Sequence, residues 1–152
     1  MAFKQENESF LIETLRKTKN FIAELSLVAE VESKIIGHIL FYPIVIISDD
    51  REHIALALAP MSVHPSYQRQ GIGKKLVVEG LKLAKEKGYS LVIVLGHPEY
   101  YPKFGFEKAG KFGTKAPFDA PEDAFMVIEL KKDALYGVSG VVKYPQPFYD
   151  AV

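Results

Sequence analysis

The chain has 152 residues, of which 48% are hydrophobic and 25% charged, with 19 basic and 19 acidic side chains. This length and composition predict one packed domain over residues 1–152, without the basic stripe of a nucleic-acid-binding protein. The absence of cysteine excludes disulfides, thiolate metal sites and a cysteine nucleophile, and we expect no metal. No membrane span or signal peptide is visible in the sequence, so we expect a cytoplasmic protein with no membrane partner.

The first part of the chain predicts a helix followed by a hairpin. Residues 1–24 form a shortened N-terminal helical region, in which residues 8–17 show the apolar spacing of an amphipathic helix. Residues 25–31 and 35–47 are apolar runs joined by a short turn, which predicts two antiparallel strands. We interpret His38, in the second run, as a packed histidine rather than a catalytic one.

Residues 54–63 predict a central strand that Pro60 interrupts. Proline has no N–H to donate, so it belongs at a bulge or where strand pairing stops. A bulge would leave the backbone N–H groups of Met61, Ser62 and Val63 facing a ligand. A kinked edge strand without a ligand is the alternative.

A glycine-containing loop connects this strand to a helix predicted over residues 74–87. The loop consists of Gln68, Arg69, Gln70, Gly71, Ile72 and Gly73. The first turn of a helix has N–H groups without intrahelical partners, and its dipole favours negative charge. Glycines without Cβ let a phosphate approach the main chain. The loop therefore predicts a pyrophosphate site, with Arg69 and Lys74 as secondary contacts.

The alternative is that these glycines only make a turn. The dinucleotide fingerprint is not met, because Leu76 stands where its third glycine should be. The P-loop pattern fails as well, since neither its earlier glycine nor a Ser or Thr after Lys74 is present.

Gly88 ends the helix, and a right-handed crossover then delivers residues 91–95 parallel to the central strand. Ligands of such units bind at the carboxyl ends of the strands. This places the predicted site near residues 61–73 and 96–101.

The order of strand, Gln-x-x-Gly-x-Gly, helix and strand is followed by Tyr100-Tyr101-Pro102-Lys103-Phe104-Gly105-Phe106. Together these features resemble the GNAT superfamily of N-acetyltransferases, by its acyl-CoA loop and its Tyr-x-x-x-Gly-Phe signature. The resemblance covers about residues 25–130, and residues 133–140 resemble a YhbS-like bacterial branch. It implies an α/β fold with a mixed, mostly antiparallel, twisted sheet, flanked by helices and containing one splayed parallel pair.

The resemblance also implies an activity. An acetyl group would pass from acetyl-CoA directly to a primary amine of a small molecule, peptide or protein, in a ternary complex without a metal. Family members usually begin with a strand and a helix for which residues 1–24 leave little room. The acceptor wall is then thinner or is completed by a second subunit, as in a homodimer. We expect residues 131–152 to form a C-terminal strap.

The resemblance implies the following site residues. The family tyrosine that assists the departing thiolate matches Tyr101, and the adjacent Tyr100 is the fallback. The donor site would comprise Met61, Ser62, Val63, Gln68, Arg69, Gln70, Gly71, Ile72, Gly73, Lys74, Gly96, His97, Tyr101 and Phe104.

The sequence does not identify a general base. The candidates are Glu24, Glu30, Glu52, His53 and His97, and deprotonation through water is equally possible. A non-catalytic acyl-CoA-binding module is the alternative function, and a nucleotide-phosphate-binding protein is a further alternative that the failed fingerprints argue against.

Overall fold

The computed structural model of the protein describes residues 15, 17–18, 21–49, 51–68, 70–135 and 138–144. The helix predicted over residues 8–17 lies outside these ranges except for Leu15, which is helical and buried, and Lys17. Residues 145–152 of the predicted C-terminal strap also lie outside them.

Strands are the commonest regular elements among the described residues. In chain order they are β1 Ser26–Val31, β2 Lys34–Ser48, β3 Arg51–Val63, β4 Leu91–Leu95, β5 Glu107–Lys108, β6 Thr114–Lys115, β7 Phe125–Glu129 and β8 Gly140–Lys143. The long helix, α1, spans Ile72–Glu86, and short 3-10 helices include Pro65–Tyr67 and Tyr101–Phe104.

All of these strands join one sheet in the order β5-β7-β4-β3-β2-β8-β6, and β1 pairs with the first part of β2. The β3–β4 and β6–β8 pairings are parallel, and the other pairings are antiparallel. The predicted mixed, mostly antiparallel sheet with a central parallel pair is therefore confirmed.

The predicted hairpin is confirmed as β1–β2. Its turn consists of Glu32 and Ser33, whose φ angles of 51° and 67° lie in the left-handed region. Two-residue turns with positive φ match the right-handed twist of the flanking strands, which explains the tight connection. β2 then pairs with β3 from Gly37↔Val63 to Ser48↔Arg51, so the two long strands form the centre of the sheet.

Successive side chains of β2 point to opposite faces of the sheet and pack into two separate cores, one on each face. Tyr42, Ile44 and Ile46 belong to one buried cluster, whereas Ile39 and Phe41 belong to the other. Helix α1 covers the second face through a stripe that includes Leu76, Val77 and Ala84. The predicted helix and its apolar face are confirmed, and the chain turns out of it at Gly88, with φ 95°.

The C-terminal part of the described chain contributes strands that the sequence did not reveal. Residues 140–143 form β8, which pairs with β2 at Val45–Ile47 and buries Val142. Residues 111–123 contain the short strand β6, which pairs with β8. Strands of two to four residues are too short to show a clear alternation.

Among the described residues, no helix has both the length and the apolar character needed to cross a membrane.

Gly80 sets the distance between α1 and the sheet. A Cβ at this position would lie 2.1 Å from Cε1 of Phe41, a buried side chain of β2. We predict that Gly80→Ala lowers the free energy of unfolding by about 1–3 kcal/mol, because overpacking outweighs the helix propensity that alanine adds. Denaturant unfolding of the wild type and the variant measures the difference.

The matched control is Gly110→Ala. Gly110 is exposed, and its added Cβ would lie at an ordinary 3.8 Å from Oε1 of Glu122. We expect a change within about 0.5 kcal/mol there. A Gly80→Ala variant as stable as the wild type would contradict the packing argument.

Candidate functional site

β3 contains a bulge at the position predicted from Pro60. Ile39 pairs with Met61 and Phe41 pairs with Leu58, so residues 59 and 60 of β3 both stand opposite Leu40. An extra residue in one strand disrupts the ladder locally and bends that strand. The proline, which has no N–H for the ladder, is one of these two residues.

The parallel strands β3 and β4 separate just before this bulge. They pair only at Leu56↔Val92 and Ala57↔Ile93, although β3 continues to Val63 and β4 to Leu95. The predicted splayed pair is confirmed. On its β4 side, residues 58–63 of β3 have no strand partner among the described residues. That edge of β3 can therefore pair with an extended ligand.

The amino end of α1 lies beside this opening. Its N-cap, Gly71, has φ 81°, a left-handed conformation that favours glycine, and this residue has no side chain with which to cap the helix. The N–H of Lys75 donates to the Gly71 carbonyl at 3.0 Å. The N–H groups of Ile72, Gly73 and Lys74 come before the first intrahelical hydrogen bond of α1, so they can donate to a bound anion.

Side-chain amides fix the loop that leads to α1. Gln68 Nε2 donates to the Val63 carbonyl at 3.0 Å, and Gln70 Nε2 donates to the Ser66 carbonyl at 3.4 Å. These bonds join the loop to the end of β3 and to itself. Arg69 lies outside the described residues, and Lys74 is exposed.

Gly73 is where the helix, β3 and the segment after β4 meet. A Cβ built on Gly73 would lie 3.3 Å from the Tyr100 hydroxyl, 3.7 Å from Cγ2 of Val63 and 3.8 Å from Cε of Met61. The structure therefore brings together predicted site residues from three separate parts of the sequence. Ser62, between Met61 and Val63, is half-buried.

The two tyrosines after β4 point to different surroundings. Tyr101 is only 7% exposed, and its ring packs edge-on against Phe106, with centroids 5.7 Å apart. The same ring lies over Gly96, where an added Cβ would come within 2.4 Å of it. Tyr100 is half-buried, and its hydroxyl lies beside Gly73.

Burial affects the acidity of both phenols. Burial, and secondly the neighbouring Tyr100, raise the pKa of Tyr101 to about 12. Burial also raises the pKa of Tyr100 above its ordinary value. Both hydroxyl groups keep their proton at neutral pH, which is the form that can donate a hydrogen bond.

The general-base candidates are spread over the molecule. Glu24 pairs with Lys87 at 3.2 Å, beyond the carboxyl end of α1. A backbone hydrogen bond, and secondly the contact with Lys87, lower the pKa of Glu24. Glu52 and His53 begin β3, far from the bulge, whereas His97 is exposed directly after β4. Glu30 is exposed near the end of the β1–β2 hairpin.

A cavity of about 540 Å³ lies away from the opening between β3 and β4, and one general-base candidate, Glu52, lines it. It is lined by Tyr42, Pro43, Ile44, Ile54, Tyr89 and other residues, at the opposite end of β3 from the bulge. The predicted site residues meet at the opening between β3 and β4 and not at this cavity. Within the described ranges, no group of three or more His, Cys, Asp or Glu side chains could hold a metal ion.

Comparisons with known proteins match this arrangement. The acetyltransferase (GNAT) domain model matches residues 23–108, which include β3, the glycine loop, β4 and both tyrosines. The N-acetyltransferase YhbS of Escherichia coli is 36% identical over 148 residues, covering 97% of this chain and 86% of YhbS. The chain belongs to the GNAT family of acetyltransferases. The predicted resemblance and the predicted enzyme class, an N-acetyltransferase, are confirmed.

Solved structures of GNAT proteins agree with the fold. The crystal structure of E. coli YhbS in complex with CoA superposes with a TM-score of 0.87 at 35% identity, covering 97% of this chain and 80% of that one. A GNAT acetyltransferase from Brucella melitensis in complex with acetyl-CoA gives a TM-score of 0.75 at 30% identity, covering 97% and 82% of the two chains.

Sequence reasoning missed Lys103, and although it predicted Gly96 as a site residue, it missed the contact between Gly96 and Tyr101. Gly96 provides the space that the Tyr101 ring fills, and Lys103 places its Nζ 5.7 Å from the centre of the Tyr100 ring. The Lys103 contact had a signal in the sequence, because residues three apart in a helical turn lie on one side of it. The Gly96 contact had none.

We predict that Tyr101 makes stability pH-dependent at high pH. The pKa of Tyr101 is raised to about 12 in the folded protein, whereas in the unfolded chain it is near 10. The stabilising contribution of neutral Tyr101 to the free energy of unfolding is therefore fully present below pH 10 and is lost as the pH rises through the folded pKa. Phenylalanine cannot ionise. Between pH 10 and 12 the free energy of unfolding of Tyr101→Phe should therefore rise, relative to that of the wild type, by on the order of 2 kcal/mol.

Denaturant unfolding of both proteins across this range measures the effect. The difference in their free energies of unfolding at pH 7, where neither side chain is ionised, gives the part that is due to packing alone. A difference that stays constant from pH 7 to pH 12 would show that Tyr101 ionises as readily in the folded protein as in the unfolded chain.

Proposed function

We propose that the protein transfers an acetyl group from acetyl-CoA directly to a primary amine of a small molecule, peptide or protein. The observation that carries this proposal is the opening between β3 and β4, with the amino end of α1 at its mouth. The E. coli and Brucella GNAT proteins with the same fold bind CoA and acetyl-CoA, which supports the assignment of the donor.

The residues at the opening fit a CoA molecule in two respects. The free edge of β3 at Met61, Ser62 and Val63 offers backbone groups to the amides of a pantetheine arm, as a further strand would use them. The N–H groups of the first turn of α1 suit the pyrophosphate, and Gly73 lacks the Cβ that would narrow this passage.

The bulge has a separate role in the proposed reaction. Attack on a thioester carbonyl creates an oxyanion, which N–H donors held in place stabilise more than they stabilise the ground state. The bulge at residues 59–60 breaks the regular ladder directly before Met61. We propose that the backbone N–H groups of the segment from Met61 to Val63 donate hydrogen bonds to this oxyanion.

We further propose that no covalent acetyl-enzyme forms. The chain has no cysteine, and orientation of two bound substrates is sufficient to lower the barrier of such a transfer. A neutral amine would attack the carbonyl while both substrates are bound, and the departing thiolate would need a hydrogen-bond or proton donor. The tyrosines after β4 are the candidates for that donor.

The acceptor wall, formed in part by the N-terminal region, would be thin or would be completed by the second subunit of a homodimer. The enzyme would act in the cytoplasm on acetyl-CoA and an amine, without metal.

The donor site is tested by calorimetric titration of acetyl-CoA into the wild type and Gly73→Glu. We expect micromolar binding by the wild type and an affinity at least about tenfold weaker for the variant, because a carboxylate would stand beside the pyrophosphate and fill the passage. Val78→Glu adds the same side chain at a position of α1 that is 46% exposed, and it should bind as the wild type does. Circular dichroism checks the folding of each protein.

A wild type that does not bind acetyl-CoA would contradict the proposed function. Equal losses in Gly73→Glu and Val78→Glu would contradict the placement of the pyrophosphate. Binding by the wild type without acetyl transfer to any of a panel of amines, peptides and proteins would favour the acyl-CoA-binding module instead of the enzyme.

A further inference from the structure

We infer that a second copy of this chain docks on the part of the sheet that lies beyond the carboxyl end of α1, and that the protein forms a two-fold symmetric dimer through it. We call this surface the distal face. It consists of six side chains from β2, β3 and β8: Val45, Ile47, Glu52, Ile54, Val141 and Lys143. The inference is independent of the proposed function, because the distal face and the opening lie at opposite ends of β3.

The strand register places these six side chains on one face of the sheet. Residues paired across antiparallel strands point to the same face, and successive residues of one strand point to opposite faces. Ile46 of β2 points into the buried cluster on the other face. Its two neighbours in β2 therefore belong to the distal face. The two rows, taken from β3 across β2 to β8, are Ile54, Val45, Lys143 and Glu52, Ile47, Val141.

Helix α1 lies on the same side of the sheet but ends before the distal face. A Cβ on Gly37 would lie 3.2 Å from Cδ1 of Leu76, near the start of the helix. Further along both elements, a Cβ on Gly80 would touch Phe41. The helix thus follows β2 in the same direction and ends at Glu86. The last six residues advance about 9 Å, or roughly three strand residues, so α1 stops short of the distal face.

The middle of the distal face is apolar and accessible. Ile54 is 64% exposed and Val141 44%, and the two apolar side chains between them are half-buried. Apolar side chains that are grouped on one surface mark a site of interaction, whereas single ones do not. The cavity of about 540 Å³ that Tyr89 lines borders this surface, so side chains of a partner have room to enter there.

The charges of the distal face complement each other when two copies meet. Glu52 and Lys143 are exposed and occupy diagonally opposite corners. In the part of the chain that the structure describes, neither of them forms an ion pair. A two-fold axis along the other diagonal, from Ile54 to Val141, brings Glu52 of each copy opposite Lys143 of the other. The surface therefore matches itself, as the interface of a two-fold dimer must, and this favours a second copy as its partner.

The two kinds of contact have different roles in this dimer. Exposed ion pairs contribute little to affinity, so the apolar rows supply most of it and the two ion pairs set the orientation. The distal face is small, and interfaces at the low end of the size range are mostly weak. Seven residues of β3 separate Ile54 from Met61, a distance of roughly 20 Å. The second copy then leaves both openings free and does not complete the acceptor wall.

The test is sedimentation velocity of the full chain at concentrations from about 1 to about 500 µM, a range over which a weak dimer dissociates by mass action. We expect a dissociation constant on the order of 10 µM for the wild type. Ile54→Glu brings two carboxylates together at the axis and should weaken the dimer at least about 30-fold. Val78→Glu, at a position of α1 that is 46% exposed, is the matched control and should dimerise as the wild type does. Circular dichroism checks the folding of each variant.

A charge exchange tests the orientation of the two copies. Glu52→Lys and Lys143→Glu each place like charges opposite one another at both corners, so each should weaken the dimer about tenfold. The variant with both substitutions restores opposite charges, and its dissociation constant should return to within about threefold of the wild-type value. This recovery is not expected if the two side chains only support the fold.

Each other outcome would contradict the inference. A wild type that stays monomeric at about 500 µM would exclude the dimer. A double variant that dimerises no better than the single ones would exclude this orientation. A dimer lost in Val28→Glu, in the β1–β2 hairpin, but kept in Ile54→Glu would place the interface at the hairpin. A monomeric wild type that dimerises once residues 145–152 are removed would assign the distal face to that segment instead.

Discussion

The site depends on the point at which β3 stops pairing with β4. Proline at position 60 cannot donate a hydrogen bond to a neighbouring strand, and the structure has a bulge at that residue. The parallel pairing ends at Ala57↔Ile93, and the rest of β3 keeps a free edge on that side. A sheet that stayed closed to Val63 would bury that edge and leave no passage between the two strands.

Close approaches at glycines then bring the other parts of the site to this opening. Gly80 lets α1 pack directly on Phe41, and Gly73 lets the first turn of the helix meet β3 and Tyr100. Gly96 admits the Tyr101 ring, which in turn contacts Tyr100. The geometry of the proposed donor site is thus a consequence of packing as much as of the motif residues themselves.

The sequence predicted those features that follow from local backbone rules. The hairpin, the bulge at Pro60, the crossover through α1 and the glycine loop all depend on neighbouring residues, and all are present. The orientation of the tyrosines could not be predicted in this way. They are adjacent, and the contacts with Gly96, Phe106 and Gly73 that separate them form only in the folded protein. For the same reason β8 was not foreseen, since it pairs with β2, about a hundred residues earlier in the chain.

The most direct test of this account is a titration of isotope-labelled protein with CoA, followed through the backbone amide resonances. We expect the largest changes at Met61 to Val63, at Gly71 to Lys74 and at Gly96 to Tyr101, because these amides surround the opening. Changes centred instead on Ile54 and Tyr89, beside the separate cavity, would contradict the account, as would a spectrum that CoA leaves unchanged.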